Sequence, residues 1–288
     1  MTIPWPSVRL FRMTIHLWLV GYLLSALPAA EWLWDSPVSP PLPGPPGPFR
    51  FLTQAFMTWL PVGSALPALA VLLGLAIYNV FGPSRWWIAF FVWSLFTSLT
   101  DLAWLAASGG HQLISNVLFW SIFLPSKEAS TGPADGSWLQ ARAVLGVSAF
   151  WIIRLQLLLA YGVTGIQKLT GIQWTHGYAM GIVATDVDYG PSFLAGTGFL
   201  LPLLTYSILA FQLGFPLAVW WRLTRTVWML IGVCFHVTTG LCFGILDMGL
   251  AFLACYPIWF SQDTAVKWTI VPRFRDGRYN LRNEARTT

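Results

Sequence analysis

Five titratable side chains stand in otherwise apolar stretches of this chain: Asp101, His111, Lys168, His236 and Asp247. Burying an ionisable group unpaired in a membrane helix costs at least about 2.5–3.5 kcal/mol, so such residues mark places where pairing or chemistry compensates. Their types point to proton transfer. An amine held in low dielectric binds its proton less tightly and can serve as a base toward a weakly acidic hydroxyl. Imidazoles beside it can orient or stabilise the anion that results. Two histidines and an aspartate could instead ligate a metal ion, but no ligand pair stands three or four residues apart on one helix, so no metal is expected. Each residue also has a plainer reading. Lys168, next to Thr170 and Gly171, could snorkel to the interface. His236 could be a packing histidine, and Asp101 could bond locally to Thr97, Ser98 or Thr100. Arg154 and His16 are read as structural.

The elements that carry these residues follow from composition. Of 288 residues only 9% are charged, against roughly 25% in soluble proteins, while 56% are hydrophobic and 18 are Trp. A soluble globule could not cover itself with so few charges. The chain is therefore expected to be an integral, multi-pass membrane protein, which excludes a disordered chain, a disulfide scaffold or a conventional cytosolic enzyme. Cys234, Cys242 and Cys255 sit in apolar runs without zinc-type spacing and read as inert.

A helix needs about 20 apolar residues to cross the hydrocarbon, and lipid leaves helices as the natural solution. The expected fold class is all-α, a polytopic membrane helix bundle of about eight transmembrane helices. They lie near residues 9–30, 65–82, 86–106, 112–125, 143–168, 200–221, 226–243 and 244–260, the last two separated by almost nothing. With the N-terminus inside, Arg9, Arg12, Arg85, Lys127, Arg142, Arg222, Arg225 and the six cations of the C-terminal tail fall on the cytoplasmic side. That bias puts both termini in the cytoplasm. A cleavable signal at 9–30 is the alternative for the first span. The topology then brings Asp101, His111, Lys168, His236 and Asp247, from five different crossings, to similar depth in the outer half, as an outward-facing polar pocket.

The domain division is a single transmembrane domain over 1–262 and a basic cytoplasmic tail over 263–288. Residues 36–50, with Pro at seven of fifteen positions, are expected to form an extended outer loop. Residues 51–60 are expected to lie at the outer interface, and 126–142 to form the longest inner loop. No fixed-period repeat is present. The basic tail reads as a topology signal and no nucleic-acid partner is expected; the partners are the bilayer and a membrane or exported protein.

The run Tyr161 to Met180, with Gly165, Lys168, Leu169, Trp174 and Gly177 in order, resembles the Gly-x-x-Lys-Leu-x-x-x-x-Trp-x-x-Gly signature of the HTTM superfamily, the membrane domain related to vitamin K-dependent gamma-carboxylase. Gly109-Gly110-His111 before the 113–125 segment, Tyr206 through Gln212 to Pro216, Phe235-His236 and Asp247-Met248 resemble further family stretches in the same order. Gln212 stands where many relatives carry Glu. The resemblance implies that Lys168 is a base toward a reduced, vitamin K-like quinone, with His111 stabilising the anion and His236 a second catalytic group. It implies Trp174, Tyr178 and Asp247 as cofactor-binding residues. The large outer domain of the carboxylase has no room here, so the chain is more similar to compact members such as the sporulation-delaying-protein maturation component. On that resemblance the expected setting is a bacterial inner membrane and the expected role a catalytic subunit that modifies or matures an exported peptide or partner protein. A non-catalytic subunit or scaffold of a larger membrane complex is the alternative.

Overall fold

The computed structural model describes residues 3–35, 63–83, 85–125, 136–186, 188, 190–194 and 196–260. The proline-rich stretch 36–50, the segment 51–60, most of the 126–142 loop and the basic tail lie outside the described residues. All regular structure among those described is helical. The principal helices are α1 (Trp5–Ala26), α2 (Ala65–Phe81), α3 (Trp86–Leu102), α4 (Gly109–Ser121) and α5 (Ser137–Leu169). Two short helices follow, α6 (Ile172–Thr175) and α7 (Ala179–Ala184), and then α8 (Leu200–Ala218), α9 (Arg222–Phe243) and α10 (Leu246–Cys255). A 3-10 turn, Tyr256–Trp259, prolongs α10.

Helices thus occupy all eight of the expected segments. Four are long and apolar enough to span a membrane: Trp5–Ala29, Ser137–Leu169, Leu200–Ala218 and Arg222–Phe243. The chain therefore has the make-up of an integral membrane protein. The 17-residue helices α2 and α3 reach only about 26 Å at 1.5 Å per residue, just short of the roughly 30 Å hydrocarbon layer.

Local chemistry sets the boundaries, and several differ from the expected ones. α4 begins at Gly109 because Ser108 and His111 close a capping box around its first turn. α5 starts at Ser137, ahead of the expected residue 143, directly after Gly136 at φ 120°. α9 stops at Gly244, whose φ of 69° reverses the chain into α10 without an intervening loop. The near-absence of a linker between the last two segments, which left tilted, partly re-entrant and hairpin arrangements open, thus takes the form of a tight hairpin.

Helix α10 packs against α1, α4 and α9 at once. Glycines permit the approach: a β-carbon on Gly110 would stand 2.8 Å from the Met248 Cα, and one on Gly249 would stand 2.7 Å from the His236 carbonyl oxygen. Because α10 is short, its ends lie within the bundle and its polar backbone groups need partners there. One end is served by arginines. Arg154 donates through Nε and Nη2 to the Ile258 carbonyl at 3.0 and 2.9 Å, while its guanidinium lies 4.2 Å from the Phe150 ring centroid and 4.7 Å from that of Trp259. Arg225 donates to Trp259 O at 3.0 Å and also to Val219 O and Trp220 O at the end of α8. Arg12 serves α4 in the same way, donating to Ser121 O, Leu124 O and Pro125 O at 3.3, 2.7 and 3.0 Å. The structural reading of Arg154 stands, and Arg12, read from sequence only as a topology marker, has a second task.

Candidate functional site

At the opposite end of α10, its first turn meets the first turn of α4 and the last turns of α1. His111 is 1% exposed. Its Nδ1 accepts from the Ser108 backbone N–H at 3.0 Å and lies 2.9 Å from the Ser108 hydroxyl. A backbone amide can only donate, so Nδ1 carries the lone pair and Nε2 carries the proton. That Nε2–H is buried and, among the described residues, has no hydrogen-bond partner. The Asp247 Oδ2 stands 3.8 Å from Nδ1 and accepts from the Ser108 hydroxyl at 3.4 Å, so serine links the two. Asp247 is 43% exposed at its side chain, and its backbone carbonyl accepts from Trp18 Nε1 at 2.8 Å. Trp18 and Tyr22 stack in parallel at 5.4 Å, and the Tyr22 ring stands edge-on to His111 at 4.4 Å.

Beside this cluster runs a groove of about 630 Å³ between α1 and α10. Leu17, Leu246, Leu250 and Leu253 form aliphatic walls, and Trp18, Tyr22 and Asp247 form its polar part. Leucine walls with a few convergent polar groups are the make-up of a small-molecule site.

His236, 3% exposed on α9, belongs to a second cluster. Its Nε2 lies 2.5 Å from the Tyr161 hydroxyl, which lies 2.9 Å from the Tyr256 hydroxyl, and its ring stacks on Phe252 at 5.0 Å. Three buried polar groups from α5, α9 and the end of α10 are thereby joined in one chain. Among the described residues the His236 Nδ1 has no hydrogen-bond partner.

Lys168 occupies a third place. It lies half-buried in the last turn of α5, its amine 4.9 Å from the Trp174 ring centroid. Trp174 is on α6, and the exposed Tyr178 just beyond it stacks with His176 at 6.0 Å. Arg154 and Tyr161 of α5 meet the region 258 to 256 in reverse order, so the end of α5 points toward the end where α10 begins. Lys168 shares that end with His111 and Asp247, as expected. Among the described residues, however, no hydrogen bond, ion pair or ring contact joins it to His111, His236 or Asp247. It stands seven residues, or about 10 Å of helix, beyond the Tyr161 layer.

The structure therefore brings together His111 and Asp247, holds His236 in a separate buried chain, and leaves Lys168, Trp174 and Tyr178 as a partly exposed patch. The single hollow expected of the amine and two imidazoles does not take the form of direct contact among the described residues: α10 packs against both α4, which carries His111, and α9, which carries His236, and Lys168 touches neither ring. Asp101 ends α3 and has partners of its own. Among the described residues no three His, Cys, Asp or Glu side chains gather as a metal site. Sequence reasoning missed Ser108, Trp18, Tyr22, Tyr161 and Tyr256. Only Ser108 had a local signal, three residues ahead of His111 at the head of an apolar run.

No family model, no curated protein and no solved structure matches this chain.

Proposed function

We propose that the protein binds a lipid-soluble, quinone-like molecule in the groove between α1 and α10, with its reduced head group against Asp247 and the His111 cluster. The observation that carries this is the groove itself: leucine walls suited to an apolar tail, ending on the part-exposed carboxylate of Asp247 and on Trp18 and Tyr22, whose rings contact the buried His111 imidazole. Asp247 accepts the proton of a head-group hydroxyl, and His111 stabilises the oxygen as a donor. This moves the role of base from Lys168, which the HTTM resemblance implies, to Asp247. The fuller reading is an HTTM-like protein of about eight spans with cytoplasmic termini, in a bacterial inner membrane, that modifies or matures an exported peptide or partner protein. The cation bias supports the orientation, and Arg12, Arg154 and Arg225 all bond helix-end carbonyls at the end read as cytoplasmic.

Equilibrium binding of a decyl-chain benzoquinol, kept reduced under anaerobic conditions, to protein in nanodiscs tests the assignment. A hydrogen bond to a charged group contributes about 1.5–3 kcal/mol, so Asp247→Asn is expected to weaken binding roughly tenfold or more. Lys168→Ala is expected to leave it within about threefold. Equal binding by Asp247→Asn and the parent protein would refute the site, and so would selective loss in Lys168→Ala.

A further inference from the structure

The buried Nε2–H of His111 does not itself line the groove. Two rings of α1, Trp18 and Tyr22, both line the groove and contact the imidazole, at 5.7 and 4.4 Å between centroids. They are held differently. Trp18 is 8% exposed and pinned by its indole N–H to the Asp247 carbonyl. Tyr22 is only half-buried, and among the described residues its hydroxyl makes no hydrogen bond. An unpaired hydroxyl on a ring fixed only by stacking offers little resistance to a rotamer change. On the far side, His111 meets Phe96 at 6.3 Å and its own helix cap, which cannot yield without unwinding the first turn of α4. A buried donor left unmatched is worth more to a ligand than to the resting protein.

We propose that Tyr22 is a movable cover between the groove and His111, and that a ligand's head group displaces it so that an acceptor oxygen reaches the imidazole Nε2–H. This rests on the groove reading above and adds to it a residue that controls access, with Ser108 fixing the tautomer that makes His111 a donor. A carbonyl, phenol or phenolate oxygen satisfies this N–H, whereas an ammonium head does not. Tyr22 is thus a positioning residue and His111 the one that touches the ligand.

The four histidines provide their own reference. His176 is exposed, while His16, His111 and His236 are buried. In protein labelled with ¹⁵N-histidine and held in nanodiscs, His111 is expected as the Nε2–H tautomer, its proton exchanging slowly with water. Tyr22→Ala is expected to speed that exchange at least tenfold at His111 alone, and Tyr22→Phe, which keeps the ring, to leave it slow. Slow exchange at His16 and His236 in the same sample establishes that Tyr22→Ala is folded. Adding the decyl-chain benzoquinol to the parent protein is expected to shift the His111 N–H resonance. Unchanged His111 exchange in Tyr22→Ala, or an Nδ1–H tautomer in the parent, overturns the cover while leaving the groove to its own binding test. Faster exchange in Tyr22→Ala with no shift on a quinol that does bind overturns the contact between ligand and imidazole.

Discussion

Arg12→Met is expected to destabilise the protein by about 3–5 kcal/mol, the largest effect of any single substitution proposed for it. The reason lies at the end of the short helix α4 and the turn that follows it, where the carbonyls of Ser121, Leu124 and Pro125 all accept from one guanidinium. Arg12 is 7% exposed, and water does not replace it readily. A buried acceptor left unpaired costs roughly 1–3 kcal/mol, and three of them share this donor. Removing the cation also removes its own burial penalty, which keeps the total below the simple sum. Arg12→Lys restores charge but not the planar fork that spans several carbonyls, so it is expected to recover only part of the loss. Cys255 is buried and reports the change: in a Cys234→Ser, Cys242→Ser background, its reactivity toward a thiol dye on heating gives the unfolding midpoint. A midpoint for Arg12→Met within one or two degrees of the parent would show that the carbonyls find other partners.

The second large effect is expected at Tyr161. Tyr161→Phe removes the middle hydroxyl of the Tyr256–Tyr161–His236 chain and leaves both neighbours buried without it. At about 1–3 kcal/mol for each of the two orphaned groups, less the burial penalty of the hydroxyl that is removed, the loss is about 2–4 kcal/mol. Replacing the whole chain by apolar groups is a different matter, since no polar group is then stranded. The triple variant Tyr161→Phe, Tyr256→Phe, His236→Phe is expected to be more stable than Tyr161→Phe alone, because apolar replacement of all partners can approach neutrality. The same thiol assay separates the two. A triple variant less stable than the single one would mean that this chain holds the core together by more than mutual satisfaction.

Much of the architecture was legible in the residues. Apolar runs of membrane length located the helices, since burial in lipid leaves little choice of secondary structure. The near-absence of a linker between the last two segments was visible, but the sequence alone did not choose the hairpin at Gly244 over a tilted or re-entrant arrangement. Arg154 was readable as structural because it stands 14 residues inward of Lys168 on α5, well away from the level of the candidate pocket. The candidate site was legible only in part. That His111 and Asp247 lie toward the same end of the bundle followed from counting residues along their helices. Their pairing through Ser108 did not, because it depends on how closely α4 and α10 approach, and that distance is set by Gly110 and Gly249 in contacts far apart along the chain. Depth alone also could not separate Lys168 from the histidines. A shared level in the membrane says nothing about which face of a helix a side chain occupies. Tyr161 lies within the most distinctive run of the chain, yet its partners come from α9 and the end of α10, which no local pattern foretells.

The claim that a lipid-soluble head group rests between α1 and α10 is tested most directly by photo-crosslinking with a diazirine-bearing benzoquinol, followed by peptide mapping. The account predicts adducts on both walls of the groove, within residues 14–25 and 246–254, competed away by the unlabelled benzoquinol and diminished in Asp247→Asn. Adducts confined to the segment from Lys168 to Tyr178, with both groove walls unlabelled, would contradict it.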